Sequence, residues 1–280
     1  MSNFFRRTLT AIWIVIFVLG GFWLHPVSFF LTGLIIVACT QYEYYSMIKY
    51  TGIRPQVAGG ITAGLSAFTV STMVADGLLQ SRWYLLLIPL ILILMIAELF
   101  RKTEKPFDSL AHTVFGIIYV ALPFSLFPSA AFARTGLGSL IPHQGIIFSP
   151  GFIVGFFLVL WANDTGAYIT GVSFGRHRLL ERISPKKTWE GYLGGLALAI
   201  FAAWLLGDWF GVMKKSHWMG IAVIVSVAGT LGDLFESLLK RSVGVKDSGS
   251  VMPGHGGFLD RFDSALFAFP LGYLFLSLFG

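Results

Sequence analysis

Apolar runs of membrane-spanning length recur from one end of this chain to the other, and they narrow its possible folds more than any other feature. They lie near residues 8–24, 26–48, 57–75, 83–100, 109–131, 149–171, 190–210, 218–238 and 264–279. A helix needs about 20 residues to cross a hydrocarbon core. Most of these runs reach that length; the last is short and its start is soft. In lipid every backbone N–H and C=O must find its partner inside the protein, so only helices or closed barrels span. The runs are continuous, not alternating, and that argues against a barrel. With 55% hydrophobic residues in 280 and a mean hydropathy of +0.76, a soluble domain is excluded as well. The expectation is an all-α, polytopic integral membrane protein with about nine transmembrane helices.

The basic residues orient these spans. With the N-terminus cytoplasmic, inner segments hold Arg6, Arg7, Lys49, Arg54, Arg101, Lys102 and Lys105, then Arg176, Arg178, Arg182, Lys186 and Lys187, then Lys240, Arg241, Lys246 and Arg261. Only Arg82, Arg134, Lys214 and Lys215 fall outside. Such a bias orients a membrane protein, and it also supports the number of spans. The formal charge of +6 is therefore a topology signal. Nucleic acid is not expected as a partner, whereas anionic lipid and anionic substrates are. The first run is too long for a cleaved signal peptide and no small-residue cleavage site follows it. Cys39 is the only cysteine, so no disulfide forms within the chain and a buried thiol is expected.

The chain reads as one integral domain with two unlike halves. Residues 1–148 are hydrophobic with short connections and read as scaffold helices; residues 149–280 carry polar-interrupted spans and the larger inner loops, and read as the catalytic region. The outer segment at 132–148 suggests no function.

Only 12% of the chain is charged, yet Ser237–Asp263 gathers Lys240, Arg241, Lys246, Asp247, His255, Asp260, Arg261 and Asp263. Fixed acids beside fixed bases and a Gly-rich turn suit a metal ion bound to phosphates. Asp260 and Asp263 are three apart and would point the same way on a helical turn, while His255 would bond a phosphate, orient a carboxylate or serve the turn. Pro253, Gly254, Gly256 and Gly257 read as backbone devices for that turn. Upstream, Gly229, Gly232, Asp233, Glu236, Ser237 and Lys240 share a helical pattern in which 233, 236, 237 and 240 form one face. Glycine at 229 and 232 permits close helix approach. A Glu236–Lys240 pair at i,i+4 fits that face but leaves Asp233 unexplained. Asn163 and Asp164 fall inside a span, where an acid costs about 2.5–3.5 kcal/mol on insertion scales. A helix neighbour, a metal or a substrate must offset that. Finally, Ser184-Pro185-Lys186-Lys187-Thr188 reads as a helix start, with Ser184 as N-cap and Pro185 first. Its free N–H groups and two lysines would make an anion site. A G-x-S-x-G match at Gly171–Gly175 has no strand before it and reads as coincidence.

These residues resemble the phosphatidate cytidylyltransferases, also called CDP-diacylglycerol synthases. The signature is Ser, two residues, Lys-Arg, four residues, Lys-Asp, a spacer into His-Gly-Gly, then Asp-Arg-x-Asp. Ser237, Lys240, Arg241, Lys246, Asp247, His255, Gly256, Gly257, Asp260, Arg261 and Asp263 match it in order and spacing. Met252 stands where the family usually has Leu, Ile or Phe, a swap of similar volume. The resemblance is specific from about 160 to 265, and over the first half extends only to length and multi-spanning character. It implies that CTP and phosphatidate give CDP-diacylglycerol and pyrophosphate with Mg2+, with another divalent or an additional monovalent cation as variants. On this basis Asp233, Asp260 and Asp263 are expected as metal ligands, and Lys240, Arg241 and His255 join them as catalytic residues. Asn163, Asp164, Ser184, Lys186, Lys187, Thr188, Lys246 and Arg261 are expected to bind substrate. The implied location is the bacterial cytoplasmic (inner) membrane, multi-pass, with the site on the cytoplasmic side. The sequence is silent on oligomeric state; a homodimer is the assembly considered.

Two polyanions must meet near the membrane plane in such a reaction. That calls for positioning and charge neutralisation and not for a protein nucleophile. An ion-coupled transporter is a different class of reading, built on Asp164 and Asp233 as an ion path. It leaves the basic loop without a role, and no inverted repeat is visible. A CTP-dependent polyprenol kinase is the nearest enzymatic rival, separated by its product CDP in place of pyrophosphate.

Overall fold

A computed structural model describes residues 3–134, 146–209, 213–249 and 256–279. The chain is an all-α polytopic membrane protein. Among the described residues, eight helices are long and apolar enough to cross a bilayer. By their internal contacts the residues form two compact units, Met1–Pro150 with Val243–Arg261, and Gly151–Ser242 with Phe262–Gly280.

In the first unit α1 spans Asn3–Trp23 and α2 Pro26–Lys49. Pro26 opens α2 at its first position, where a missing N–H leaves no bond unmade. His25 caps it: its Nδ1 accepts from the Val27 N–H at 3.1 Å, and Ser28 Oγ accepts from the His25 N–H at 3.1 Å. α3 (Val57–Ala75) follows, then a 3-10 turn at Ser81–Leu86 that runs into α4 (Leu87–Phe100). The next span is broken into α5 (Pro106–Gly116), a π-helical turn at Ile117–Ala121, α6 (Leu122–Ser125) and α7 (Phe127–Ala131). The break has causes in the sequence. Gln41 Nε2 donates to the Gly116 carbonyl at 3.3 Å, at the residue where the ladder slips, and to the Gly60 carbonyl at 3.3 Å. A side chain that takes a helix carbonyl in this way bends the helix. Pro123 and Pro128 then each remove a donor. β1 (Phe132–Arg134) and β2 (Ile146–Phe148) form a short antiparallel ribbon, docked on α2 through Phe29, whose ring stands 6.2 Å from Phe132 and 5.8 Å from Phe148.

In the second unit α8 (Gly151–Phe174) and α9 (Trp189–Trp209) flank a hairpin of β3 (Arg178–Leu180) and β4 (Ser184–Thr188). α10 covers Lys215–Ser242 and α11 Leu259–Phe279, the latter belonging to this unit from Phe262 onward. The α8–α9 contact is a seam of small residues. Gly191, Gly195, Ala199 and Ala203 recur every fourth residue of α9 and are buried. A Cβ at Gly195 would stand 2.7 Å from the Asn163 carbonyl, and one at Gly166 2.7 Å from the Gly194 carbonyl. Small residues at this spacing let two backbones touch, which drives helix association in lipid. The opposite face of α9 exposes Leu193, Phe201 and Trp204, as a lipid-facing side should.

Two expectations are corrected by this arrangement. Ser184 and Pro185 do not open a helix: they lie in β4, with Ser184 opposite Leu180, and the helix begins at Trp189. The last span begins at Leu259 and not near 264, so Asp260 and Asp263 are both helical.

The seam yields a test. Gly195→Ala forces a side chain onto backbone, whereas a Cβ at Gly171 would meet its nearest neighbour at an ordinary 3.4 Å. Gly195→Ala should cost about 1–3 kcal/mol and lower the detergent-solubilised melting temperature. Gly171→Ala should leave it unchanged.

Candidate active site

The second unit contains a cavity of about 310 Å³ between α8, the β3–β4 hairpin, α9 and α10. Each wall has its own local reason for being there. α8 contributes Asn163 and Asp164, both within one turn of its seam glycine Gly166. Asn163 is 5% exposed, and its Nδ2 lies 3.5 Å from Asp164 Oδ1. The hairpin contributes Lys186, Lys187 and Thr188. It is closed at its base by Glu190, whose carboxylate accepts from the Arg176 N–H at 3.1 Å and the His177 N–H at 3.2 Å and meets His177 Nδ1 at 2.6 Å. The Trp189 N–H donates to the His177 carbonyl at 2.9 Å. Thr188 ends the hairpin and caps α9: its Oγ1 accepts from the Gly191 N–H at 3.1 Å. The N-cap expected at Ser184 is thus supplied by Thr188, which leaves both lysines immediately before the helix start.

α10 contributes Asp233. Its Oδ2 meets Lys187 Nζ at 2.6 Å, with the two side chains 37% and 26% exposed, and its Oδ1 accepts from Ser237 Oγ at 3.3 Å. Ser264 of α11 also lines the cavity. Its neighbour Asp263 is buried, accepts from the Ser264 N–H at 2.6 Å, and lies within electrostatic reach of Asp233, Asp164 and Lys187. Gly232 is the reason α10 and α11 come together here, since a Cβ on it would stand 2.5 Å from the Asp263 carbonyl.

Six residues singled out by sequence, Asn163, Asp164, Lys186, Lys187, Thr188 and Asp233, therefore line one cavity. Thr230, Tyr192 and Ser264 also line it and carried no signal beyond their neighbours. The other expected residues lie elsewhere. Ser184 sits in β4 away from the lining. Lys240 pairs with the fully buried Glu236, and Arg241 follows it, exposed, at the end of α10. Lys246, Asp260 and Arg261 belong to the first unit. There Asp260 Oδ2 accepts from the Ser248 N–H at 3.0 Å, from Ser248 Oγ at 2.9 Å and from the Gly257 N–H at 2.8 Å. Gly256 has φ +76°, so the turn expected there does need glycine. His255, with Met252, Pro253 and Gly254, lies outside the described residues.

Among the described residues no group of three or more His, Cys, Asp or Glu is gathered into a ready metal site. The donor chemistry nevertheless fits a hard cation that takes one or two carboxylates and fills its shell with phosphate oxygens and water. Asp233 already attracts a positive charge, that of Lys187, and Asp263 is a buried carboxylate close by.

The chain matches the Cytidylyltransferase family over residues 5–279. It belongs to that family. A phosphatidate cytidylyltransferase of Staphylococcus aureus (strain COL) is 40% identical over 167 residues, 59% of this chain and 64% of that protein. The chain thus matches somewhat less than two thirds of that relative's length. Phosphatidate cytidylyltransferases of Staphylococcus saprophyticus and Staphylococcus haemolyticus are 35% and 34% identical over 273 residues, covering 95% of this chain and 96% of each relative. Family membership thus extends through the first half, where the motifs alone showed only multi-spanning character.

The cap gives this site a stability test. Thr188→Ala should cost about 1 kcal/mol, speed amide exchange at Trp189–Tyr192 and lower the melting temperature, and Thr188→Ser should restore both.

Proposed function

We propose that this chain transfers a cytidylyl group from CTP to phosphatidate, giving CDP-diacylglycerol and pyrophosphate. The observation that carries the reading is the cavity in which Lys186 and Lys187 meet Asp164 and Asp233: it offers charge for a polyphosphate beside carboxylates for a cation. Relatives named phosphatidate cytidylyltransferase along nearly their whole length support the same substrates.

In this reading an oxygen of the lipid phosphate forms the bond to the α-phosphorus of CTP as the bond from that phosphorus to the bridging oxygen breaks, and pyrophosphate leaves. Lys186 and Lys187 bind the triphosphate. Lys187 does so by exchanging its present partner, Asp233, for phosphate. Asp233 and Asp263 would hold Mg2+, with Asp260 a further ligand on the strength of the signature. Bound there, Mg2+ would neutralise charge on the phosphates and on the leaving group. Asp164, fixed against Asn163, adds negative charge beside the cation. Thr188 keeps the lysines at the start of α9. Lys240, Arg241, Lys246, Arg261 and His255 are assigned to phosphates by the signature, and Ser184 to substrate through the hairpin it helps to form. No side chain is asked to be a nucleophile, because positioning and charge stabilisation suffice for such a displacement.

The same reading places the cavity at the cytoplasmic face of a bacterial inner membrane with the N-terminus inside. CTP is cytosolic, and the hairpin and α10–α11 segments carry the largest share of the basic residues. The lipid substrate comes from the surrounding bilayer, and a homodimer remains the assembly considered. The relatives give no support to a kinase or a transporter.

Purified protein supplied with phosphatidate, labelled CTP and Mg2+ should release pyrophosphate and a nucleotide-bearing lipid. Release of CDP with a newly phosphorylated lipid would refute the reading. Asp233→Asn should reduce turnover by about 100-fold or more while the protein stays folded in the membrane, and near-normal turnover would remove Asp233 from the cation site. Lys186→Ala loses a charge-assisted contact of about 1.5–3 kcal/mol, so the KM for CTP should rise about 10- to 100-fold with little change in that for phosphatidate. The reverse pattern would move Lys186 to the lipid.

A further inference from the structure

One buried acid has no part in the chemistry above. Glu43 stands on α2 and is 2% exposed. Its Oε2 accepts a hydrogen bond from the Leu259 N–H at 2.9 Å and stands 3.1 Å from Ser248 Oγ. Leu259 is the first residue of α11, so Glu43 does the work of a capping side chain from 216 residues away in sequence. Ser248 Oγ also lies 2.9 Å from Asp260 Oδ2, so one hydroxyl, with a single proton to give, stands between the two carboxylates. The chain closes tightly around this point: a Cβ at Gly249 would stand 2.7 Å from Glu43 Oε1. An apolar side chain at position 43 would fill the same space with a smaller desolvation cost. What it would not do is accept from the Leu259 N–H or compete with Asp260 for the Ser248 proton.

We propose that Glu43 is a positioning residue for Asp260. It locks Ser248 and the first N–H of α11, and through them it fixes the direction of the Asp260 carboxylate. This role rests on the reading of Asp260 as a cation ligand.

The test uses the full chain purified in detergent, with Mn2+ as probe and its binding followed by electron paramagnetic resonance in the absence of substrates. Glu43→Gln keeps the volume, and Ser248→Ala deletes the shared hydroxyl. Each should weaken Mn2+ binding about tenfold or more, as loss of a ligand's supporting partner does in metal sites generally. Each should also speed amide exchange over Gly257–Asp260. Asp260→Asn is measured beside them. If Asp260→Asn binds Mn2+ as tightly as the parent, the ligand reading fails and the role of Glu43 fails with it. If Asp260→Asn loses Mn2+ while Glu43→Gln and Ser248→Ala bind it normally, only the positioning role is overturned. A lower melting temperature with unchanged Mn2+ affinity would reduce Glu43 to a structural residue and overturn it equally. Should Glu43→Gln fail to fold, Ser248→Ala decides the matter by the same two readouts.

Discussion

A carboxylate set into a membrane helix persists only where a positive charge or a set of donors replaces the water it has lost. Four acids of this chain meet that condition in different ways. Asp233 is matched by Lys187, Glu236 by Lys240 and Glu98 by Arg101, while Glu43 accepts from a backbone N–H and competes for the proton of a hydroxyl. These pairings are not equivalent. Glu236 is fully buried and Lys240 only 14% exposed, and removing one side of a buried pair typically costs about 3–5 kcal/mol. Asp233 and Lys187 are each partly exposed, so water screens them and little is lost when they part. The weak pair is the one at the cavity, where partners must be exchanged; the strong pair lies further along α10.

The cavity depends in turn on how closely helices can approach. Gly166, Gly191 and Gly195 let α8 and α9 touch along their backbones, and Gly232 does the same for α10 and α11. Larger residues at these positions would hold the carboxylates of α8, α10 and α11 apart. Small residues therefore set the spacing of the charged ones, and in lipid they also supply the packing that holds helices together.

Much of this was legible in the sequence because it is local. Continuous apolar runs reveal spanning helices, and an acid within a run marks a position that needs a partner. Of the two glycines that suggest close approach, Gly232 makes it, whereas a Cβ at Gly229 would meet its nearest neighbour at an ordinary 3.4 Å. The four-residue recurrence of Gly191, Gly195, Ala199 and Ala203 is an equally local signal. Less legible was the β3–β4 hairpin. Its strands are three and five residues long, too short for a two-residue period to show, and Ser184-Pro185 carried a stronger helix-start signal than Thr188. What decided the matter was Glu190 reaching back to the Arg176 and His177 N–H groups, a contact that spacing does not announce. Glu43 was illegible for a plainer reason. A single acid in an apolar helix has no local pattern, and its partners lie more than 200 positions away.

That long reach bears on how the chain is made. α2 leaves the ribosome far ahead of Ser248 and Leu259, so throughout most of synthesis Glu43 has neither of its donors. An acid left unmatched in an inserted helix is costly, and that cost is relieved only when Ser248 and Leu259 have been made. Completion of the first unit thereby waits until α8, α9 and α10 have been synthesised. A chain cut short before Ser248 would keep most of its spans and still carry an unneutralised charge in its oldest helices, a mark by which membrane quality control could tell unfinished copies from finished ones.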